Sequence, residues 1–234
     1  MKKPYLKKIS KIGKFSVWWV NGMYIRNNVN REFTNFSHHF HFKFIPKYEF
    51  WIDKEYDNGE DRFFIDHLLV EWKLMSKGIK YIPALDKACE KELQERKKSS
   101  LFKKVGNKFK KNPKKVPKEV YIKLLKEYSK DSIKVFLVNG ELVRDLYYIN
   151  FTEGGHEYVY NFVPKKEVWI DDDLSPQERK FVILHEVHER FLMSKGYEYH
   201  KAHASSSAIE YEARHNPAKT KKLLDSEYAK NKNV

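Results

Sequence analysis

The sequence predicts an α+β protein of two tandem repeats, each a small antiparallel β-meander followed by two α-helices. Three observations carry that expectation. Sliding the chain against itself by 118 residues brings VWWVNG (17–22) onto VFLVNG (135–140), and the register then holds without a gap, with 29 of 80 positions identical between 17–96 and 135–214. Aromatic residues make up 15% of the 234 residues, which favours packed units over a solvated chain. In both copies, alternating β-branched and aromatic residues give way to apolar residues at helical spacing that stop at glycine.

Taken in order, the N-terminal MKKPYLKKISKIGKFSVWWVNG is basic, but its apolar run FSVWWV is too short for the core of a signal peptide. No segment approaches the roughly 18 apolar residues of a membrane span. Cys89 is the single cysteine, so an intramolecular disulfide is excluded. A soluble chain in a reducing compartment, cytoplasmic or associated with a virus particle and not with a membrane, is the expectation.

Each copy then presents Asn-Gly, at 21–22 and 139–140, a dipeptide that favours a two-residue type I′ hairpin. In the second copy KVFLVNGELVRDLYYINF supplies two strands, GGH a turn, EYVYNFV a third strand and KEVWID a fourth. Ser175-Pro176-Gln177-Glu178 reads as a capping box with proline at the first helical position, and the first copy offers Asp57 and Glu60 at the same places. The helix runs to Gly196, with Gly78 as counterpart. A second helix begins near Tyr199 and continues past Arg214, which makes the unit ββββαα. Trp51 and Trp169 are expected in the core.

The net charge of +14 is unevenly placed: residues 97–119 carry ten Lys/Arg against one Asp/Glu, whereas 120–234 are balanced. Two prolines and a glycine in KKSSLFKKVGNKFKKNPKKVPKE mark it as a linker, dividing the chain into domains 1–96 and 120–234. It reads either as a solvated hinge or as an electrostatic contact with nucleic acid through Lys103, Lys104, Lys110, Lys111, Lys114 and Lys115, with Phe102 and Phe109 available to stack.

The chemistry concentrates in HEVHERFLMSKGYEYHKAHASSSAIEYEAR (185–214). At 100° per residue Phe181, Leu184, Val187 and Phe191 form a core stripe, while His185 and Glu189 share another face rimmed by Val182, Leu192 and Met193. Such a pair is costly to leave unsatisfied. It is either a hydrogen-bonded structural pair or half of a metal site, since Zn²⁺ accepts imidazole nitrogen and carboxylate oxygen alike. Glu186 lies where a general base would take a proton from metal-activated water. His188 points nearer the core stripe and reads as a core or supporting histidine.

On the second helix His203 comes within reach of His185 and Glu189 and completes a three-ligand set. Glu210 is a fourth ligand or orients His203, and His200 is placed to contact substrate. The series resembles the zincin-like metallopeptidases of phages and mobile elements, with H-E-x-x-E-R, then M-x-x-G, then A-H and a downstream Glu. The resemblance covers about 30 residues closely. It implies a zinc-dependent hydrolase acting on a peptide or protein, with His185, Glu189 and His203 as metal ligands and Glu186 as base. By the same analogy the strand at 166–171 would pair with substrate.

In the first copy His67, Glu71 and Glu92 match His185, Glu189 and Glu210, but Leu68 replaces Glu186 and Leu85 replaces His203. That copy is expected to be a degenerate half with a supporting or binding role. The retained His/Glu/Glu set also fits a structural network in both halves, or a metal site in each. In SHHFHF (37–42) His39 and His41 would share a strand face, and His38 has its equivalent in His156. The rival to the hydrolase is a non-catalytic structural or nucleic-acid-associated protein.

Overall fold

In the computed structural model, which describes residues 4–56, 58–111, 115–130, 132–232 and 234, the chain is a mixed α+β protein. Among the described residues there are two four-stranded sheets and eight α-helices, none long and apolar enough to cross a membrane. The chain forms two compact units, one of residues 1–110 and 144–150, the other of residues 111–143 and 151–234.

In the first unit β1 (Tyr5–Ile12) and β2 (Phe15–Val20) form a hairpin that turns at Gly13, whose φ of +56° lies in the region glycine enters without strain. Asn21-Gly22 does not close a hairpin. Asn21 is the N-cap of α1 (Gly22–Asn28), its side chain accepting from Tyr24 N at 2.8 Å. Gly22 is required because a Cβ there would fall 1.6 Å from Asp53 Oδ2. The chain continues into β3 (Phe36–His38) and β4 (Glu49–Asp53), with sheet order β1-β2-β4-β3.

The second unit has β5 (Tyr121–Leu124), β6 (Lys134–Val138), the start of α5 (Gly140–Leu146, whose residues from 144 on belong to the first unit), β7 (Gly154–His156) and β8 (Glu167–Asp171), in sheet order β5-β6-β8-β7. The expected antiparallel meander is thereby corrected. The central pairs β2/β4 and β6/β8 are parallel, Trp18 facing Trp51 and Phe136 facing Trp169. The helix after Asn-Gly supplies the crossover that parallel neighbours need and a two-residue turn does not.

Over the first sheet lie α2 (Asp61–Met75) and α3 (Tyr81–Arg96). Val17, Phe50 and Ile52 of the sheet pack on Phe64, Leu68 and Trp72 of α2. Over the second lie α6 (Pro176–Ser194) and α7 (Tyr199–His215), followed by an unanticipated α8 (Thr220–Asn231). There Val135, Val168 and Ile170 meet Phe181, Leu184 and Val187, and α8 adds Leu224 and Tyr228. Phe191 lies at the margin, half-buried. Trp51 and Trp169 are buried as expected. Gly78 and Gly196 follow α2 and α6 with φ of +86° and +87°.

Three further expectations change. Ser175 is the N-cap of α6 with Pro176 at N1, but the Ser175 side chain makes no cap bond, and Glu178 accepts from Arg214; Asp57, the proposed counterpart of Ser175, lies outside the described residues. Strand β3 ends at His38, so His39 and His41 share no strand face, and His39 Nδ1 lies 2.7 Å from Ile45 O. The lysine-rich segment is not an extended linker, since most of it forms α4 (Ser100–Lys111). Leu101, Phe102, Val105 and Phe109 recur at helical spacing there, a period that the flanking prolines obscured.

Replacing Asn139 with alanine is expected to cost about 1 kcal/mol through loss of the helix cap. Gly140→Ala should cost more, because the new Cβ would stand 2.0 Å from Asp171 Oδ1. Urea denaturation of the two variants checks the order; equal midpoints would remove the close approach as the reason for glycine.

Candidate metal centre

The site is built on two helices and one short strand of the second unit. His185 and Glu189, one turn apart, face α7, and His203 reaches them from that helix. His185 Nε2 lies 3.2 Å from His203 Nδ1, His203 Nδ1 lies 3.1 Å from Glu189 Oε2, and the third side of the triangle is 3.7 Å. Tyr199 lies over the His203 ring at a centroid distance of 5.4 Å. His185 and Glu189 are buried; His203 is half-exposed.

Behind the triangle runs a chain of buried charge. His185 Nδ1 lies 2.8 Å from Glu210 Oε2, Arg214 Nε donates to Glu210 Oε1 at 2.9 Å with Nη2 in ion-pair contact at 2.7 Å, and Arg214 Nη1 donates to Glu178 Oε1 at 2.8 Å. Glu210 therefore orients His185, correcting the expectation that it would orient His203 or serve as a fourth ligand. Burial would raise the Glu210 carboxyl, but His185 and Arg214 outweigh it and hold it at about 2. A carboxylate so ionised accepts a hydrogen bond from His185 Nδ1–H and leaves Nε2 aimed into the triangle. Burial alone would also lower the His185 pKa, yet Glu189 and Glu210 raise it well above its ordinary value, so a proton competes with any cation for Nε2.

His156, at the end of β7, is the partner that the sequence reading did not place in the site. Its Nε2 stands 3.3 Å from Glu189 Oε1. Tyr158 N donates to His156 Nδ1 at 3.2 Å, so the ring proton sits on Nε2 and faces the carboxylate. Burial would raise Glu189, but His156, His185 and His203 together hold it far below the usual carboxylate range. His156, Glu186 and Glu189 lie close enough to hold an ion of their own. The tautomer fixed by Tyr158 N argues against that, since Nε2 offers a proton there and no lone pair. Asp171–Asp173 form the other acidic cluster, engaged in turn bonds: Asp172 Oδ1 accepts from Gly140 N and Asp171 Oδ1 from Asp173 N.

Glu186 is buried beside this group, and its Oε2 has no hydrogen-bond partner. Burial, and then the neighbouring Glu189, push its carboxyl up to about 8. Gly154 gives it room: a Cβ at that position would meet Glu186 Cγ at 3.2 Å and Trp169 O at 2.9 Å.

The remaining histidines lie elsewhere. His188 contacts Ser205 Oγ at 3.0 Å and Glu227 Oε2 at 2.9 Å, tying α6 to α7 and α8. Ser205 sits within a helix, its N–H committed to the helical ladder, so this trio lacks the backbone donors an acyl-transfer site needs. His200 is exposed, 3.9 Å from Glu198, and outside the cluster. Strand β8, the expected partner of an extended substrate, is paired on both sides, and β7 is the edge.

The first unit repeats the charge chain but closes it. His67 contacts Glu92 Oε2 through Nδ1 at 2.8 Å and Glu71 Oε2 through Nε2 at 3.1 Å, while His38 Nε2 stands 3.0 Å from Glu71 Oε1. Arg96 joins Glu92 to Glu60 at 2.8 and 2.6 Å. Both ring nitrogens of His67 thus face carboxylates. Despite burial, Glu71 and Glu92 raise its pKa to about 9, so a proton occupies the place between the side chains. Phe36 stands edge-on to His67 at 5.1 Å, where the second unit has Gly154. Among the described residues, the groupings able to hold an ion all fall in the second unit.

This network fixes a pH window for the first unit. His67, raised from 6.5 to about 9, contributes stability that is complete below 6.5 and lost as pH rises through about 9. Glu71, lowered from 4.5 to about 2 against the pull of burial, contributes above 4.5 and loses it as pH falls through about 2. The difference in melting temperature between the unaltered chain and His67→Gln should be largest between pH 4.5 and 6.5 and shrink on both sides. A difference independent of pH would remove the charged clamp.

No family model matches the sequence, and neither a curated protein nor a solved structure matches the chain.

Proposed function

We propose that the chain is a tandem duplication in which the second copy is a zinc-dependent hydrolase, a peptidase by resemblance, and the first is a degenerate copy. The observation that carries this is the triangle of His185 Nε2, His203 Nδ1 and Glu189 Oε2. Its sides of 3.2, 3.1 and 3.7 Å bracket the separation of about 3.3 Å between donors on a tetrahedral ion with bonds near 2.0–2.1 Å. The donor chemistry fits as well. Two imidazoles and one carboxylate leave a fourth position open, the pattern of catalytic rather than structural zinc. When bound, such an ion supplies Lewis-acid chemistry, polarising a carbonyl oxygen and acidifying water.

The chain's own residues divide the remaining work. Glu210 and His156 hold His185 and Glu189 in the orientation that faces their lone pairs inward. Glu186 is the proton carrier: its carboxyl is buried, its Oε2 has no hydrogen-bond partner among the described residues, and burial pushes it up to about 8, near the operating range of a general base. It takes a proton from the attacking water and returns it to the leaving amine.

Three outcomes test the reading. Dialysis against zinc followed by elemental analysis should give one ion per chain, lost in His185→Ala and in His203→Ala and kept in His67→Ala. Retention in His185→Ala would end the proposal. Glu186→Gln should keep the ion while peptide hydrolysis, followed with a quenched-fluorescence peptide mixture, falls by about 10² to 10⁴. His156→Phe should weaken zinc binding by about 10 to 100 fold in a competitive chelator titration; unchanged affinity would make His156 a packing residue only.

A further inference from the structure

We infer that α4 is a docking surface for the phosphate backbone of double-stranded nucleic acid, independent of the metal centre. At 100° per residue Leu101, Phe102, Val105 and Phe109 fall within an arc of about 100°, and Lys103, Lys104 and Lys110 fall outside it, with Lys108 at its border beside Leu101. Those four lysines are exposed, whereas Val105 is buried. No Asp or Glu occurs between residues 96 and 118, so the helix carries no internal acid to neutralise the row.

The partner follows from what each face is doing. Phe109 packs edge-on against Tyr147 at 5.1 Å, and Phe102 is half-buried against Gly106. The aromatic rings are thus committed within the first unit, correcting the expectation that they are available to stack on bases. A single strand bound by base stacking needs such rings exposed. A membrane surface engages an amphipathic helix through its apolar side, and here Val105 is buried and Leu101, Phe102 and Phe109 are half-buried, whereas the lysines are exposed. What α4 leaves to solvent is a row of ammonium groups, which suits a regular array of phosphates recognised by charge alone.

The dimensions agree. Lys103 and Lys110 are seven residues apart, about 10 Å along the helix at 1.5 Å per residue. One strand of a duplex places about four phosphates along that length, counting both ends, at about 3.4 Å of axis each. Lysine binds these as a point charge without the planar fork that reads bases, so the contact carries affinity and no sequence choice.

The experiment is fluorescence anisotropy of the full chain with a labelled duplex of arbitrary sequence from 50 to 200 mM salt. Four phosphate contacts give a slope of log affinity against log salt of about −3.6, a loss of about a hundredfold across that range. Changing Lys103, Lys104, Lys108 and Lys110 together to glutamine should flatten the slope to near zero and weaken binding at least tenfold at 50 mM. The same four positions changed to arginine should hold affinity within about twofold. A comparator with Lys165, Lys195, Lys221 and Lys222 changed to glutamine carries the same net charge and should lose less than threefold. Equal losses in the two glutamine variants, absence of duplex binding, tighter binding to the single strand, or tighter binding to phosphatidylserine vesicles would each overturn the inference. Thermal melts in parallel confirm that the variants remain folded, and should the glutamine set unfold, the arginine set and the comparator alone decide.

Discussion

The arrangement in each unit depends on a buried run of alternating charge: Glu178, Arg214, Glu210 and His185 in one, Glu60, Arg96, Glu92 and His67 in the other. Buried ions are unfavourable unless every partner is present, and a partly satisfied network is worse than an apolar core. Here each arginine bridges two carboxylates and each histidine takes one of them, so the run is tolerated only as a whole. It fixes the first helix against the second, because Glu178 and His185 lie on α6 and Glu210 and Arg214 on α7. The orientation of the His185 ring, and with it the direction of Nε2, is a by-product of that packing requirement.

Around the buried histidine, the two units differ at three positions. Where the first has Leu68, Leu85 and Phe36, the second has Glu186, His203 and Gly154. The first set fills space and leaves His67 bonded to both Glu71 and Glu92. The second adds an imidazole and a carboxyl, removes a phenyl ring, and lengthens the histidine–glutamate contact from 3.1 to 3.7 Å. A proton suffices to bind the first cluster together, whereas the second brings three donor atoms within 3.7 Å of one another.

Much of the site was legible in the sequence and much of the sheet was not. His185 and Glu189 are four apart on a strongly periodic helix, so their shared face follows from helical geometry alone. His203 followed from the next helix, whose start at Tyr199 was read correctly. His156 escaped because it sits on a three-residue strand and meets Glu189 33 positions later, a contact that no local period encodes. Its trace was the alignment of His38 with His156, the second histidine that the copies share. The Asn-Gly dipeptides were misread because asparagine before glycine suits a tight turn and a helix N-cap equally. That single ambiguity converted a parallel crossover into an expected meander.

The missing side chain at residue 154 makes that position intolerant of change. A Cβ there would press on Trp169 O at 2.9 Å and on Glu186 Cγ and Val182 Cγ1 at 3.2 Å. Any larger residue would have to displace the Glu186 side chain or part β7 from β8, so the seat of the Glu186 carboxyl is fixed as much by an absent methyl group as by its own helix.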